Sequence, residues 1–171
     1  VHEDEPLVLM HSVLANTAIT LWRRLARLGG FIGRGAERAA VQPHVERLRV
    51  KTPSLAQPVA TLSGGNQQKV SLAKWLAAGV EVLIVDEPTV GIDVATKAHL
   101  HEALWELARG GLPILLISSD MPEMIHLADR IVVMDRFALA GEVRNTRRYD
   151  EVSQRIMALI HSHQVRGAEA S

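Results

Sequence analysis

The chain has 171 residues, 47% of them hydrophobic and 22% charged, and its 19 basic side chains balance 19 acidic ones. That length and apolar content suit one domain with a real core, and the absence of any basic stripe argues against a nucleic-acid partner. The lack of cysteine excludes a disulfide framework and fits a reducing compartment, while no apolar run reaches the roughly 18 residues needed to span a bilayer.

The start, Val1-His2-Glu3-Asp4-Glu5, has neither an initiator Met nor a signal-peptide pattern and reads as a chain already under way. From Val13 to Leu28, apolar residues at helical spacing (Val13, Leu14, Ile19, Leu21, Leu25, Leu28) predict a helix stopped by Gly29-Gly30. A second helix is expected from Glu37 to Leu48, kinked or restarted at Pro43. Lys51 to Ala60, with two prolines, reads as a connector, so residues 1–60 form a helical subdomain.

The next portion alternates strand and helix. A helix after Gly65 should turn Val70, Ala73, Leu76 and Ala77 inward and Gln68, Lys69 and Lys74 outward. Val82 to Val85 and Pro113 to Ser118 read as buried parallel strands. Between them Thr96 to Arg109 carries the stripe Leu100, Ala103, Leu104 and Leu107, with Gly110-Gly111 as its stop. A short helix at Pro122 to Ala128 precedes strands Arg130 to Met134 and Leu139 to Val143, a possible hairpin. Tyr149 to His161 is a final amphipathic helix on Val152, Ile156, Leu159 and Ile160, with a polar, frayed tail beyond it. Repeated βα units predict an α/β fold with a parallel, helix-covered sheet. We divide it into residues 61–146, the core half, and 147–171, the closing helix and tail.

Two segments carry chemistry. Leu62-Ser63-Gly64-Gly65-Asn66-Gln67-Gln68-Lys69 opens a helix, where free backbone N–H groups and the positive dipole end make an anion site. A plain glycine turn with Ser63 as its cap has the same local appearance. What separates the two readings is the second segment, Val82-Leu83-Ile84-Val85-Asp86-Glu87-Pro88, an apolar strand with paired carboxylates at its carboxyl end, where open α/β sheets bind ligands. Asp86 suits Mg²⁺, a hard cation that takes oxygen ligands. Glu87 could orient or deprotonate an attacking water. The phosphate-wrapping loop G-x-x-x-x-G-K-[ST] is absent from this sequence, so the chain reads as half of an ATPase.

In these motifs the chain resembles the ATP-binding subunits of ABC transporters, and more narrowly those of bacterial monosaccharide importers of the ribose, galactose and xylose type. Those subunits carry two fused nucleotide-binding domains, and the resemblance is to the later portion of the second. It runs from about residue 50 to 160, through Val50-Lys51-Thr52-Pro53-Ser54, Leu62 to Lys69, Asp86-Glu87-Pro88-Thr89, Gly91-Ile92-Asp93-Val94 with Lys97, Ile117-Ser118-Ser119 with Pro122-Glu123, and Asp129-Arg130-Ile131. The Asn66-Gln67-Gln68 form of the signature points to the sugar subfamily. Residues 1–49 match more weakly, through Glu3-Asp4 and Ser12-Val13 with Asn16.

The resemblance implies an incomplete P-loop NTPase domain lacking the Walker A half, with ATP and Mg²⁺ as cofactors. Leu62, Ser63, Gly64 and Gly65, with Gln67, would bind the γ-phosphate of an ATP held by the opposite nucleotide-binding domain. Asp86 would be the Walker B aspartate and metal ligand, Glu87 the catalytic carboxylate, Asp93 the D-loop residue that crosses the domain interface, and Glu3 the Q-loop position. Three departures stand out. The phosphate loop is missing, as from a fragment or truncated product. Ser119 replaces the usual switch histidine and cannot supply an imidazole contact. Val90 and Glu5-Pro6 stand where those importers commonly carry basic residues, and Asp135-Arg136-Phe137 replaces a Gly-containing turn. The site bearing Asp86, Glu87 and Ser119 should therefore be slow or inactive even in a complete protein, and the signature more important than Glu87. In a complete transporter Gly65→Asp is expected to abolish transport, and Glu87→Gln to be milder than the matching change in the first domain.

The implied partners are another nucleotide-binding domain, transmembrane permease subunits and, indirectly, a periplasmic sugar-binding protein, with the chain peripheral on the cytoplasmic face of the inner membrane. The isolated chain is expected to be inactive. A non-catalytic interaction module is one alternative. An ABC-type ATPase of chromosome maintenance or repair is another, although no sustained heptad repeat is present. The pairs His99/His101 and His161/His163 read as solvated rather than metal-binding. Trp22, Trp75, Trp105 and the methionines read as core or interface packing, and Arg144, Arg147 and Arg148 as solvated surface.

Overall fold

The helix expected from Val13 to Leu28 is broken in the structure. In the computed structural model, which describes residues 7–26 and 32–169 and side chains as far as residue 165, α1 spans Val13–Ala18 and α2 spans Trp22–Leu25. Thr20 and Leu21 make the turn between them. The Thr20 hydroxyl donates to the Lys74 carbonyl at 3.0 Å, and Leu21 is buried. The expected stop at Gly29-Gly30 lies outside the described residues. Ser12 caps α1 by accepting the Ala15 N–H at 3.1 Å, the local bond that makes serine a helix starter. Asn16 is buried, and its amide closes the loop before it by accepting the Val8 N–H at 2.8 Å and donating to the Val8, His11 and Ser12 carbonyls.

Helix α3 (Arg34–Arg47) begins three residues before the expected Glu37 and runs as one helix through Pro43. Its end is a Schellman turn. Arg49 has φ 50°, its N–H donates to the Glu46 carbonyl, and the Val50 N–H donates to the Val45 carbonyl. A 3₁₀ turn at Val59–Thr61 leads into α4 (Gly64–Ala78), which Gly79 closes with φ 75°. Burial on α4 departs from the predicted stripe. Lys69 is buried rather than outward, as are Val70, Ser71, Leu72, Ala73 and Ala77, because α1, α3 and α5 (Val94–Arg109) all pack against α4. Leu100, Ala103, Leu104 and Leu107 of α5 are buried as predicted.

Strands β1 (Leu83–Asp86) and β2 (Ile114–Ile117) pair side by side. The Leu83 N–H donates to Pro113 O and the Glu87 N–H to Ile117 O, at 3.0 and 2.9 Å, so partners advance together and the pair is parallel. The prediction of strands buried on both faces fails in part. Leu83 and Val85 are buried, but Ile84 and Ile117 are 64% and 47% exposed.

The chain divides into two compact units. One holds the residues up to Leu83 plus Pro88–Leu115, and the other holds Ile84–Glu87 and the residues from Leu116 onward. In the second, α6 (Met121–Leu127) precedes an antiparallel hairpin of β3 (Arg130–Asp135) and β4 (Ala138–Arg144), covered by α7 (Tyr149–Glu169). Its core is Ile125, Ile131, Val133, Val143, Val152 and Ile156, the alternate strand residues and the predicted helix stripe. Val133 pairs with Gly141 and Met134 with Leu139, so Ala140 is the extra residue of a β-bulge. The hairpin turn is Arg136-Phe137, both with positive φ (48° and 63°), a type I′ arrangement. The tail expected to fray from residue 164 remains helical through Glu169.

Other side-chain expectations need correction. Of the two roles expected for Trp22, Trp75 and Trp105, core packing fails, since they are 40%, 42% and 36% exposed. Trp22 donates to Glu37 Oε1 at 3.2 Å, and the Lys74 ammonium lies 4.8 Å from the Trp75 ring centre. His101 is buried, and His163 is bonded to Asp135 at 3.2 Å, so neither belongs to a solvated pair.

Candidate functional site

The proposed site residues divide between the two units. In the first, the chain reaches α4 through Leu62 in extended conformation, and Ser63 stands at the N-cap. The Ser63 carbonyl accepts the Asn66 and Gln67 N–H groups at 2.9 and 3.0 Å. Among the described residues the Gly64 and Gly65 N–H groups have no acceptor. The Ser63 hydroxyl makes no cap bond to the backbone; it accepts instead from Asn66 Nδ2 at 2.9 Å. Gln67 braces the approach by donating to the Val59 and Leu62 carbonyls at 3.3 and 3.1 Å. A 15-residue helix thus presents two unpaired amides and an exposed hydroxyl at its positive end, the arrangement that binds oxyanions.

The two glycines differ. Gly64 is exposed, and a methyl group there would sit 3.8 Å from Ile92 Cγ2, ordinary contact. Gly65 is buried, and a methyl group there would overlap the Thr96 methyl and lie 2.9 Å from Thr96 Cβ. Thr96 is held in turn by Asp93, the N-cap of α5. Asp93 Oδ1 accepts the Thr96 N–H at 3.0 Å and Oδ2 accepts its hydroxyl at 2.6 Å. These bonds, the hydroxyl's foremost, hold the Asp93 carboxyl below its usual pKa. Asp93, Thr96 and Gly65 therefore form one connected support beneath the helix start.

In the second unit, β1 delivers Asp86 exposed at its carboxyl end and Glu87 half-buried just beyond. Glu87 has φ 43°, a left-handed backbone at a non-glycine residue. Its Oε1 accepts the Ser119 N–H at 2.8 Å. The contact from residue 119 to this carboxylate is thus made by the backbone N–H and not by the serine side chain. Just beyond, the Ser118 hydroxyl donates to buried Glu123 at 2.6 Å and accepts the Asp120 N–H at 3.0 Å. Asp120 also caps α6 through the Glu123 N–H at 2.9 Å. Among the described residues no three His, Cys, Asp or Glu converge on one point. A single strand-end carboxylate is nonetheless what Mg²⁺ needs when water and phosphate supply its remaining oxygens, so Asp86 fits that ion as one ligand among several.

Glu3, the expected Q-loop position, lies outside the described residues. Sequence reasoning missed Asn66 and Thr96. In sequence alone Asn66 stands out only as a subfamily marker, and Thr96 only as a helix start. The available signals were Asp93 three residues before Thr96, the spacing of an N-cap, and an amide three residues after Ser63.

Residues 1–90 match the family described as ABC transporter. A ribose import ATP-binding protein of Streptomyces coelicolor is 48% identical over 152 residues, covering 89% of this chain and 29% of the relative. An arabinose import ATP-binding protein of Burkholderia ambifaria is 43% identical over 141 residues, covering 82% and 27%. The chain thus spans less than a third of the length of these relatives. Among solved structures, the dimeric ATP-binding cassette MJ0796 in a post-hydrolysis state bound to ADP and Pi has a TM-score of 0.68 at 19% identity, covering 84% of this chain and 61% of that one. That likeness gives the fold, part of an α/β P-loop NTPase cassette. On the family match and these relatives together, the chain belongs to the ABC transporter family.

Proposed function

We propose that this chain is part of the ATP-hydrolysing component of a sugar importer, and that its main contribution is the start of α4, offered to an ATP held by a second nucleotide-binding domain. The observation that carries this reading is the pair of acceptor-free amides at Gly64 and Gly65 beside the exposed Ser63 hydroxyl. A helix start with about half a positive charge stabilises negative charge as it accumulates on a transferring phosphoryl group. The relatives' names, ribose import and arabinose import, support sugar as the transported class.

Asp86 would hold Mg²⁺, which neutralises phosphate charge when bound. Glu87, fixed by the Ser119 amide, would orient water at the local site. Because Ser119 brings no imidazole, that local site is the weaker one, and Glu87 contributes less to turnover than Ser63. Asp93 and Thr96 fix the position of the signature, and Gln67 holds the loop that leads into it. The partners are a second nucleotide-binding domain, permease subunits and, indirectly, a periplasmic sugar-binding protein. Association with the permease places the chain on the cytoplasmic face of the inner membrane. Among the described residues no helix is long and apolar enough to cross a membrane.

The test is ATPase activity on mixing the chain with a complete nucleotide-binding domain that carries a phosphate loop. Stimulation that is lost in Ser63→Ala and largely kept in Glu87→Gln supports the reading. Equal loss from both would sink it.

A further inference from the structure

Asn66 sits where its amide can have only one orientation. Its Oδ1 lies 2.8 Å from the Lys51 N–H, a group that can only donate. The oxygen of the amide therefore faces Lys51, and the NH₂ faces Ser63 Oγ at 2.9 Å. That NH₂ can only donate, so the Ser63 oxygen is the acceptor. The single Ser63 proton is left unused by Asn66, and the nearby Gly64 and Gly65 amides are donors that cannot accept it. Among the described residues no acceptor takes it, which leaves it free to donate to an oxyanion that approaches the helix start. The anchor is rigid, since Lys51 directly follows the Schellman turn in which Arg49 and Val50 close α3.

We propose that Asn66 is a positioning residue that fixes the Ser63 hydroxyl as an outward hydrogen-bond donor, aligned with the two glycine amides toward a terminal phosphate oxygen. This rests on the signature role given above. The chemistry requires an amide. An aspartate at 66 could still accept from Lys51, but its second oxygen would turn the Ser63 proton inward. An alanine would leave the hydroxyl free to rotate.

Two measurements test it. In the mixture with a complete nucleotide-binding domain, Asn66→Ala and Ser63→Ala should each lower kcat/KM for Mg-ATP by roughly tenfold or more, the scale of one hydrogen bond to a charged group. The double variant should be no worse than Ser63→Ala alone, because Asn66 acts through that hydroxyl. A purely structural role would make Asn66→Ala equally costly in both backgrounds, and that result overturns the proposal. Asn66→Gln should recover less than half the loss, since its longer side chain cannot span Lys51 and Ser63 at the same spacing. Independently of any partner, the Asn66 side-chain NH₂ resonances of the full chain should move toward free-amide positions in Ser63→Ala. Unmoved resonances overturn the proposal even where the ATPase reading stands. If instead the resonances move and the unsubstituted chain fails to stimulate the partner, the Asn66–Ser63 bond is real and it is the signature role that falls, taking the catalytic part of the proposal with it.

Discussion

Gly65 and Thr96 are packed so closely that position 65 has room for no side chain beyond hydrogen. Gly65→Ala must push against the Thr96 methyl and Cβ, with an expected cost of about 1–3 kcal/mol, the usual range for overpacking. Thr96→Ser removes the methyl while keeping the hydroxyl bonded to Asp93, so it should return part of that loss. Denaturant unfolding of the single and double variants checks this. Gly64→Ala, whose methyl group would meet Ile92 only at ordinary contact distance, should behave as a surface change. The clash also changes how Gly65→Asp is interpreted. That variant deforms the support as well as adding charge, and Ser63→Ala is the cleaner probe.

The Asp93–Thr96 cap should make the start of α5 acid-sensitive. Hydrogen bonds from Thr96 hold the folded-state pKa of Asp93 below the usual 3.8. The cap's contribution is therefore complete above 3.8 and disappears as pH falls through the lower folded value. Asp93→Ala should lower Tm at pH 7, and the gap to the unsubstituted chain should narrow well below pH 3.8. Asn, which keeps a cap oxygen, should lose less than Ala. Thermal melts at the two pH values check both statements.

The β3–β4 turn holds Arg136 and Phe137 in left-handed conformation, and Phe137 is fully exposed. Left-handed backbone costs an ordinary residue about 1–2 kcal/mol, while glycine adopts it freely. Phe137→Gly should therefore stabilise the hairpin by about 1 kcal/mol, and Asn at 136 with Gly at 137 should do better still. Urea midpoints would reveal it, with activity unchanged.

Ser119 contributes to Glu87 through its backbone N–H. Ser119→Ala should leave the ATPase rate of the mixture within about twofold, and Ser119→Pro, which lacks the donor, should behave like Glu87→Gln. A large effect of the alanine variant would assign the hydroxyl a role that this geometry does not give it.

How far the sequence could be read depended on how local each cause was. Ser63-Gly64-Gly65 and Asp86-Glu87 were legible because a helix start and a strand end are set by adjacent residues. The α5 stripe and the β3–β4 hairpin were legible for the same reason. The break after Ala18 was not, because it depends on Thr20 reaching the Lys74 carbonyl, 54 residues away. Lys69 looked outward from helical periodicity alone, but α4 is packed by three other helices and has little free face. The exposed Ile84 and Ile117 look like core residues in sequence because an apolar run cannot say which of its faces is covered. Asn66 was hidden because its role depends on a backbone amide 15 positions earlier.

We propose that the signature of this chain works on an ATP held by another domain. Calorimetric titration of Mg-ATP into the chain alone, and then into its mixture with a complete nucleotide-binding domain, tests it most directly. The expected result is no binding by the chain alone and, in the mixture, tighter binding with turnover, both of which Ser63→Ala abolishes. Binding of Mg-ATP by the chain alone, unaffected by Ser63→Ala, would contradict it.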